Sequence, residues 1–227
     1  MPQDYWIAVR NDGKNGNGTI NDPFDGSSGK LDTIFLAFAK DKNLTFNIAA
    51  GTYGTVGIAN GNFEQLKEGW QIKGAGVGRT IVKLIDFHKD THPQGGFNIC
   101  FTTWYKNVNN VTIQDLTIDC NYWELYFLRP RLGLSAVRLY GNRNKIKNVQ
   151  VINASGHRRL SETENEENFI LSIGSASGKT TGNIIENCEI VNLANNDGKG
   201  YISAISLLSL PDCVTNNGRV SRNIVNM

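Results

Sequence analysis

Four groups of ionisable residues have the types and spacing to do chemistry: Asp86-x-His88-x-Asp90-x-His92, Arg129 with Arg131, Glu162-x-Glu164-x-Glu166-Glu167, and Asp197 with Lys199. Hydrolysis of a glycosidic bond with inversion needs one carboxylic acid and one carboxylate, roughly 6.5–9.5 Å apart with a water between them. Asp197 has no second carboxylate beside it, so its partner must come from elsewhere in the fold, and Glu166 and Glu167 are the candidates. Elimination at a uronic acid needs other parts: a cation held by carboxylates, usually calcium, and an Arg or Lys base such as Lys199. The cation acidifies the proton beside the uronate carboxyl group, and the base removes it.

Each group also has a plainer reading. In a strand, Asp86, His88, Asp90 and His92 would share one face as metal ligands, yet Lys89, Thr91 and Pro93 favour a solvated loop. The run from Glu162 to Glu167 reads first as a solvated charge cluster. Trp104, Tyr122, Trp123 and Tyr126 offer rings that stack on sugar faces, whereas Trp123 and Tyr126 serve equally well as packing under a long loop. Arg138 lies inside a strand-like segment and faces either the same groove or the opposite side, because a one-residue shift in register inverts every side chain.

These groups are spaced by the elements that carry them. Ile113-Gln114-Asp115-Leu116-Thr117-Ile118 recurs as Ile146-Lys147-Asn148-Val149-Gln150-Val151 and as Ile185-Glu186-Asn187-Cys188-Glu189-Ile190, with a decayed copy from Val220 to Val225. The steps between copies are 33, 39 and 35 residues. A second set, Phe97–Phe101, Ala136–Tyr140, Phe169–Ile173 and Ile202–Ser206, steps by 39, 33 and 33. Two registers that repeat together imply stacked coils. Each copy is short, rich in Val, Ile and Leu, and broken by Gly or Asn, which is the pattern of strands. The expected fold is therefore all-β, a parallel β-helix in which Ile113, Ile146 and Ile185 stack at the ~4.8 Å strand spacing. The charged groups precede the second-register strands, so the coils would align them along one edge, where loops on a rigid scaffold tend to carry function. Asp115 falls in line with Asn148 and Asn187, which favours a ladder of side chains between coils over a calcium ligand.

Ser27 and Ser28 precede Leu31, Ile34, Phe35 and Phe38, an amphipathic helix behind an N-cap signal, expected to shield the first coil. Leu44 to Ile48 then begins the strands of a single domain, with residues 1–43 as lead-in and 44–227 as coils. The closing strand, Arg219 to Met227, has no polar cap after it, so either the chain continues or another copy covers that end as a homo-oligomer. A length of 227 residues with 40% hydrophobic content and 24 glycines suits one domain of many short strands. A net charge of +2 without a Lys/Arg run sets nucleic acid aside. No apolar stretch approaches membrane-spanning length, and Met1-Pro2-Gln3-Asp4 lacks the features of a signal peptide. Cys100, Cys120, Cys188 and Cys213 show neither CxxC spacing nor His partners, so buried free thiols are expected and zinc is not.

Several segments carry a family resemblance. Tyr5-Trp6-Ile7-Ala8, Asp12-Gly13, Asn17-Gly18-Thr19 and Asp22-Pro23-Phe24-Asp25-Gly26 resemble the opening of right-handed parallel β-helix proteins of the pectate-lyase-like superfamily. Ala50-Gly51-Thr52-Tyr53, Ile72-Lys73-Gly74-Ala75-Gly76 and Leu116-Thr117-Ile118-Asp119 are similar to its successive turns and coils. The resemblance implies a right-handed helix, and the stripe Leu31, Ile34, Phe35 and Phe38 is its expected N-terminal capping α-helix. It leaves activity open, since the superfamily holds polysaccharide lyases, glycoside hydrolases, tailspikes and non-catalytic surface proteins. The Asn-x-Asp, Asp-Asp, Gly-His-Gly and Arg-x-Lys of polygalacturonase-like members are not intact here; Asn195-Asn196-Asp197-Gly198 is the nearest echo. Two classes stay open at this point. One is a lyase or hydrolase on an acidic polysaccharide, bound through Arg129, Arg131, Arg138, Trp104, Trp123 and Tyr126, with calcium as the candidate cofactor. The other is a non-catalytic adhesin-like or tailspike-like module. Both place the protein outside the cell, at a cell surface or on a virion.

Overall fold

The computed structural model describes residues 3–27, 29–57, 66–86, 96–103, 106–125, 132–155, 167–175, 177–193, 201–209, 214–216 and 218–226. The short β-branched and aromatic runs form strands that Gly, Asn and Asp interrupt, as their pleat-fitting side chains and turn-forming neighbours require. The chain order begins β1 (Gln3–Ala8), β2 (Phe24–Asp25), α1 (Lys30–Ala37), β3 (Leu44–Ile48), β4 (Gly51–Thr55), β5 (Gln71–Gly74) and β6 (Thr80–Leu84). It continues with β7 (Gly96–Thr102), β8 (Thr112–Asp119), α2 (Tyr122–Leu125), β9 (Leu132–Tyr140), β10 (Lys145–Ile152) and β11 (Glu167–Ser175). It closes with β12 (Lys179–Thr181), β13 (Ile184–Glu186), β14 (Glu189–Val191), β15 (Tyr201–Ser209), β16 (Val214–Asn216), β17 (Arg219–Ser221) and β18 (Ile224–Val225).

From β3 onward, strands pair with the equivalent strand one coil away rather than with their neighbours in sequence. The main path of the large sheet runs β17-β13-β10-β8-β5-β3-β1-β2, and a second sheet runs β15-β11-β9-β7. This parallel stacking is a right-handed parallel β-helix. In the large sheet the expected register holds residue by residue. Ile146 pairs with Ile113 on one side and Ile185 on the other, and Val151 pairs with Ile118 and Ile190. The decayed copy continues it, Val220 beside Ile185 and Val225 beside Ile190. Ile72, Ile113, Ile146 and Ile185 are fully buried, each contributing about 1.5–3 kcal/mol over an exposed side chain.

The second sheet corrects the other register. Gly133, not Ala136, lies beside Phe97; Val137 lies beside Leu171, and Phe169 beside Ser203. The strands extend beyond the apolar runs that mark them in the sequence, so the start of a run does not set the pairing.

The polar break between the two halves of each long strand is a ladder. Asp115, Asn148 and Asn187 take left-handed backbone, φ 60, 50 and 53, a conformation that Asp and Asn tolerate best after Gly. Asn148 donates its amide to Asp115 at 2.8 Å, and Asn187 to Asn148 at 3.1 Å. A second, buried ladder stands where the chain enters the large sheet. Asn144 Oδ1 accepts from the Val111 N–H, Asn183 Oδ1 from the Asn144 N–H, and their amides donate to Val108 and Gly141 carbonyls. Backbone groups left over at each turn are thereby satisfied by the next coil.

Parallel pairing begins ahead of Leu44–Ile48, because β1 already lies beside β3 and β2 beside β1. Helix α1 buries Leu31 and Phe35, with Ile34 and Phe38 packed against the core, and Phe35 sits 5.1 Å from the Phe46 ring and 5.9 Å from Trp70. The serine N-cap is corrected. Gly29 takes the N-cap position at φ 78, without a side-chain cap. Just upstream, the Ser27 N–H is held by Asp25, whose carboxylate also binds Lys30.

Candidate functional site

The chain crosses from the large sheet to the second sheet four times, leaving from β6, from α2 just after β8, from β10 and from β14, and arriving at β7, β9, β11 and β15. The departure strands are hydrogen-bonded neighbours, as are the arrival strands. All four charged groups are carried between these ends, so their attachment points share one edge of the helix.

Asp86 is exposed at the start of the first crossing. His88, Asp90, His92, Trp104, Tyr126, Arg129, Arg131, Glu166, Asp197 and Lys199 lie outside the described residues. Trp104 follows β7, so its attachment is to the other end of the second sheet. Glu167 opens β11, and its backbone pairs with Tyr201. Arg138, near the end of β9 and paired between Thr102 and Ser172, is 3% exposed, with its guanidinium 5.1 Å from the Phe169 ring centroid. That is cation–π distance. Among the described residues no three His, Cys, Asp or Glu side chains converge as a metal cluster.

Trp123 is the predicted contact that the structure presents openly, 61% exposed on α2. The turn that carries it is fixed from several sides. Asn121 adopts φ 54, and its amide donates to the Leu84 carbonyl and to Glu124 Oε2, each at 2.8 Å. Glu124 also takes the Lys83 ammonium at 3.1 Å, and the Tyr122 N–H reaches the Asn153 carbonyl at 3.0 Å. Asp119 Oδ1 accepts from the Asn121 N–H at 2.8 Å and from the Asn153 amide at 2.9 Å. The Asn121 amide and the Lys83 ammonium hold the Glu124 carboxyl below its usual value, so it is ionised at neutral pH. Tyr122 packs edge-on against the indole at 4.7 Å, with Tyr122 and Leu125 buried beneath. A flat apolar face thus stands beside a carboxylate, an ammonium and amides on a rigid turn, the combination that receives the apolar face and hydroxyl rim of a sugar ring.

Sequence reasoning does not single out Lys83, Asn121 and Glu124. The one local signal is Asp119-Cys120-Asn121, the spacing at which Asp hydrogen-bonds the backbone two residues on. Asn121 meets Glu124 only three positions on, whereas the side-chain contacts that tie this turn to other coils join residues 34, 37 and 41 positions apart.

No protein-family profile matches the chain. No curated protein is detectably similar in sequence. Among solved structures, the chain is similar to the A-module of the mannuronan C-5 epimerase AlgE6 of Azotobacter vinelandii, at 17% identity and a TM-score of 0.43, over 88% of this chain and 54% of that one. It is also similar to the AlgE4 A-module of the same organism, at 18% identity and a TM-score of 0.41, over 96% of this chain and 57% of that one. The chain spans a little over half the length of either structure. The likeness is one of chain path. The β-helix assignment rests on the strand pairings themselves.

Proposed function

We propose that the chain engages a polysaccharide along the edge where its four charged insertions are attached. Trp123 carries the reading: a 61% exposed indole held on a turn braced by Asn121, Glu124 and Lys83. A rigid ring loses little entropy on binding, and an ion pair and amides at its rim suit hydroxyl groups. Arg129 and Arg131 supply the positive charge that an acidic chain requires, since Lys83 is already paired with Glu124. Within this reading Glu166, Glu167, Asp197 and Lys199 are the groups for proton transfer in a lyase or hydrolase, and calcium is the cation a lyase would use.

The test is incubation with a panel of polyuronates and neutral polysaccharides, with and without calcium, followed by ultraviolet absorbance of unsaturated products, reducing-end release and electrophoretic retardation. Absorbance that needs calcium establishes a lyase, and reducing ends without absorbance a hydrolase. Retardation alone leaves a binding module, and no retardation by any polysaccharide overturns the proposal.

A further inference from the structure

The outer face of the large sheet carries a second polar surface, on the far side of the Asp115–Asn148–Asn187 ladder from Trp123. Side chains alternate along a strand, so the buried Ile72, Ile113 and Ile146 put Gln71 and Lys73, Thr112 and Gln114, and Lys145 and Lys147 on the opposite face, where all six are half-buried. Parallel pairing aligns them across the coils. Lys73 lies beside Gln114 and Gln114 beside Lys147, while Gln71 lies beside Thr112 and Thr112 beside Lys145. The first row starts at Trp6, which lies beside Asn47, and Asn47 lies beside Lys73. Lys147 is committed to Glu186 at 2.6 Å, and Glu186 also takes Arg219. Lys73 and Lys145 have no hydrogen-bond or ion-pair partner among the described residues, and the side chains between them are neutral.

We propose that this face binds an acidic polysaccharide laid across the strands, with acid groups on separate sugar rings meeting Lys73 and Lys145. The two lysines stand on strands β5 and β10 with β8 between them, roughly 10 Å across at the spacing of neighbouring strands. A compact anion seated on one ammonium leaves the other unused, whereas a linear chain reaches both. Gln71, Thr112 and Gln114 lie between to bond its hydroxyl groups, and the half-buried Trp6 indole at the head of the row offers a face to a further ring. The backbone pairing fixes these positions before a ligand arrives, so the ordering cost of binding falls on the side chains alone. The surface is separate from the Trp123 edge and stands or falls independently of it.

The experiment is calorimetric titration of the whole chain at low salt, carrying Trp123→Ala so that the other edge contributes less. The probes are oligogalacturonate and oligomannuronate, with dextran oligomers as the neutral control and polyuridylate as a polyanion without sugar acids. Binding of an acidic oligosaccharide in preference to both controls is expected. Adding Lys73→Glu or Lys145→Glu should each weaken it about tenfold, the loss of one charge-assisted hydrogen bond. Neither lysine carries a bond of the fold, so thermal denaturation should show Tm unchanged; Lys73→Gln and Lys145→Gln replace them if the charge reversal lowers it. Absence of binding by both acidic oligosaccharides, equal affinity for dextran or polyuridylate, or affinity untouched by either lysine variant would overturn the proposal.

Discussion

The side-chain amide of Asn148 donates to the carboxylate of Asp115 at 2.8 Å across one coil, and both residues hold left-handed backbone. One side chain therefore does two jobs, tolerating the bend in its own strand and tying it to the coil before. Asn187 repeats the arrangement on the next coil.

Asn148→Ala removes its rungs to both Asp115 and Asn187 and forces an unfavourable backbone, together about 2 kcal/mol. In a chain of this size that lowers Tm by roughly 4–8 °C. Asn148→Gly keeps the backbone freedom and loses only the two rungs, so its loss should be clearly smaller. Thermal denaturation of the two variants side by side checks this, and equal losses would place the whole effect in the hydrogen bonds.

Acid should release the lead-in segment through Asp25. Burial works to raise this carboxyl, but the Lys30 ammonium at 2.5 Å, the Ser27 N–H and hydroxyl, and the Arg10 N–H outweigh it and hold it well below the usual carboxylate range. Its folded value lies below its unfolded one, so its contribution is complete above about pH 4 and fades as pH falls. Asp25→Asn should lower the urea midpoint at pH 7, with the gap to the native chain narrowing at pH 3. A gap that stays constant would show that the charge is not what stabilises the segment.

Cys100, Cys120 and Cys188 are free and buried, and burial pushes the Cys188 thiol up to about 11 and Cys100 higher than usual. Thiols that are neither ionised nor reachable do not react. In Cys213→Ser protein, aromatic disulfide reagents should label no thiol before unfolding and three afterwards. Fast labelling of the folded chain would contradict this burial.

Trp123→Ala removes an exposed ring and should change stability by no more than about 0.5 kcal/mol. Polysaccharide retardation should weaken about tenfold, the equivalent of ~1.4 kcal/mol of stacking. Indole fluorescence during titration offers a second readout. Unchanged affinity would remove Trp123 from the binding edge.

The repeat of Ile113, Ile146 and Ile185 determined the coils, their register in the large sheet and the Asp115–Asn148–Asn187 ladder, because a stacked core demands the same side-chain type at the same place in every turn. Leu31, Ile34, Phe35 and Phe38 announced α1 in the same way, as one apolar face. The second sheet was less legible, since its strands run past their apolar cores and nothing local counts the residues in the loops between them. Tertiary structure alone decided that Trp123 stands in solvent while Arg138 is buried beside Phe169. Exposure and convergence of this kind depend on which coils become neighbours, and a one-dimensional pattern records the coil but not what the next coil places against it.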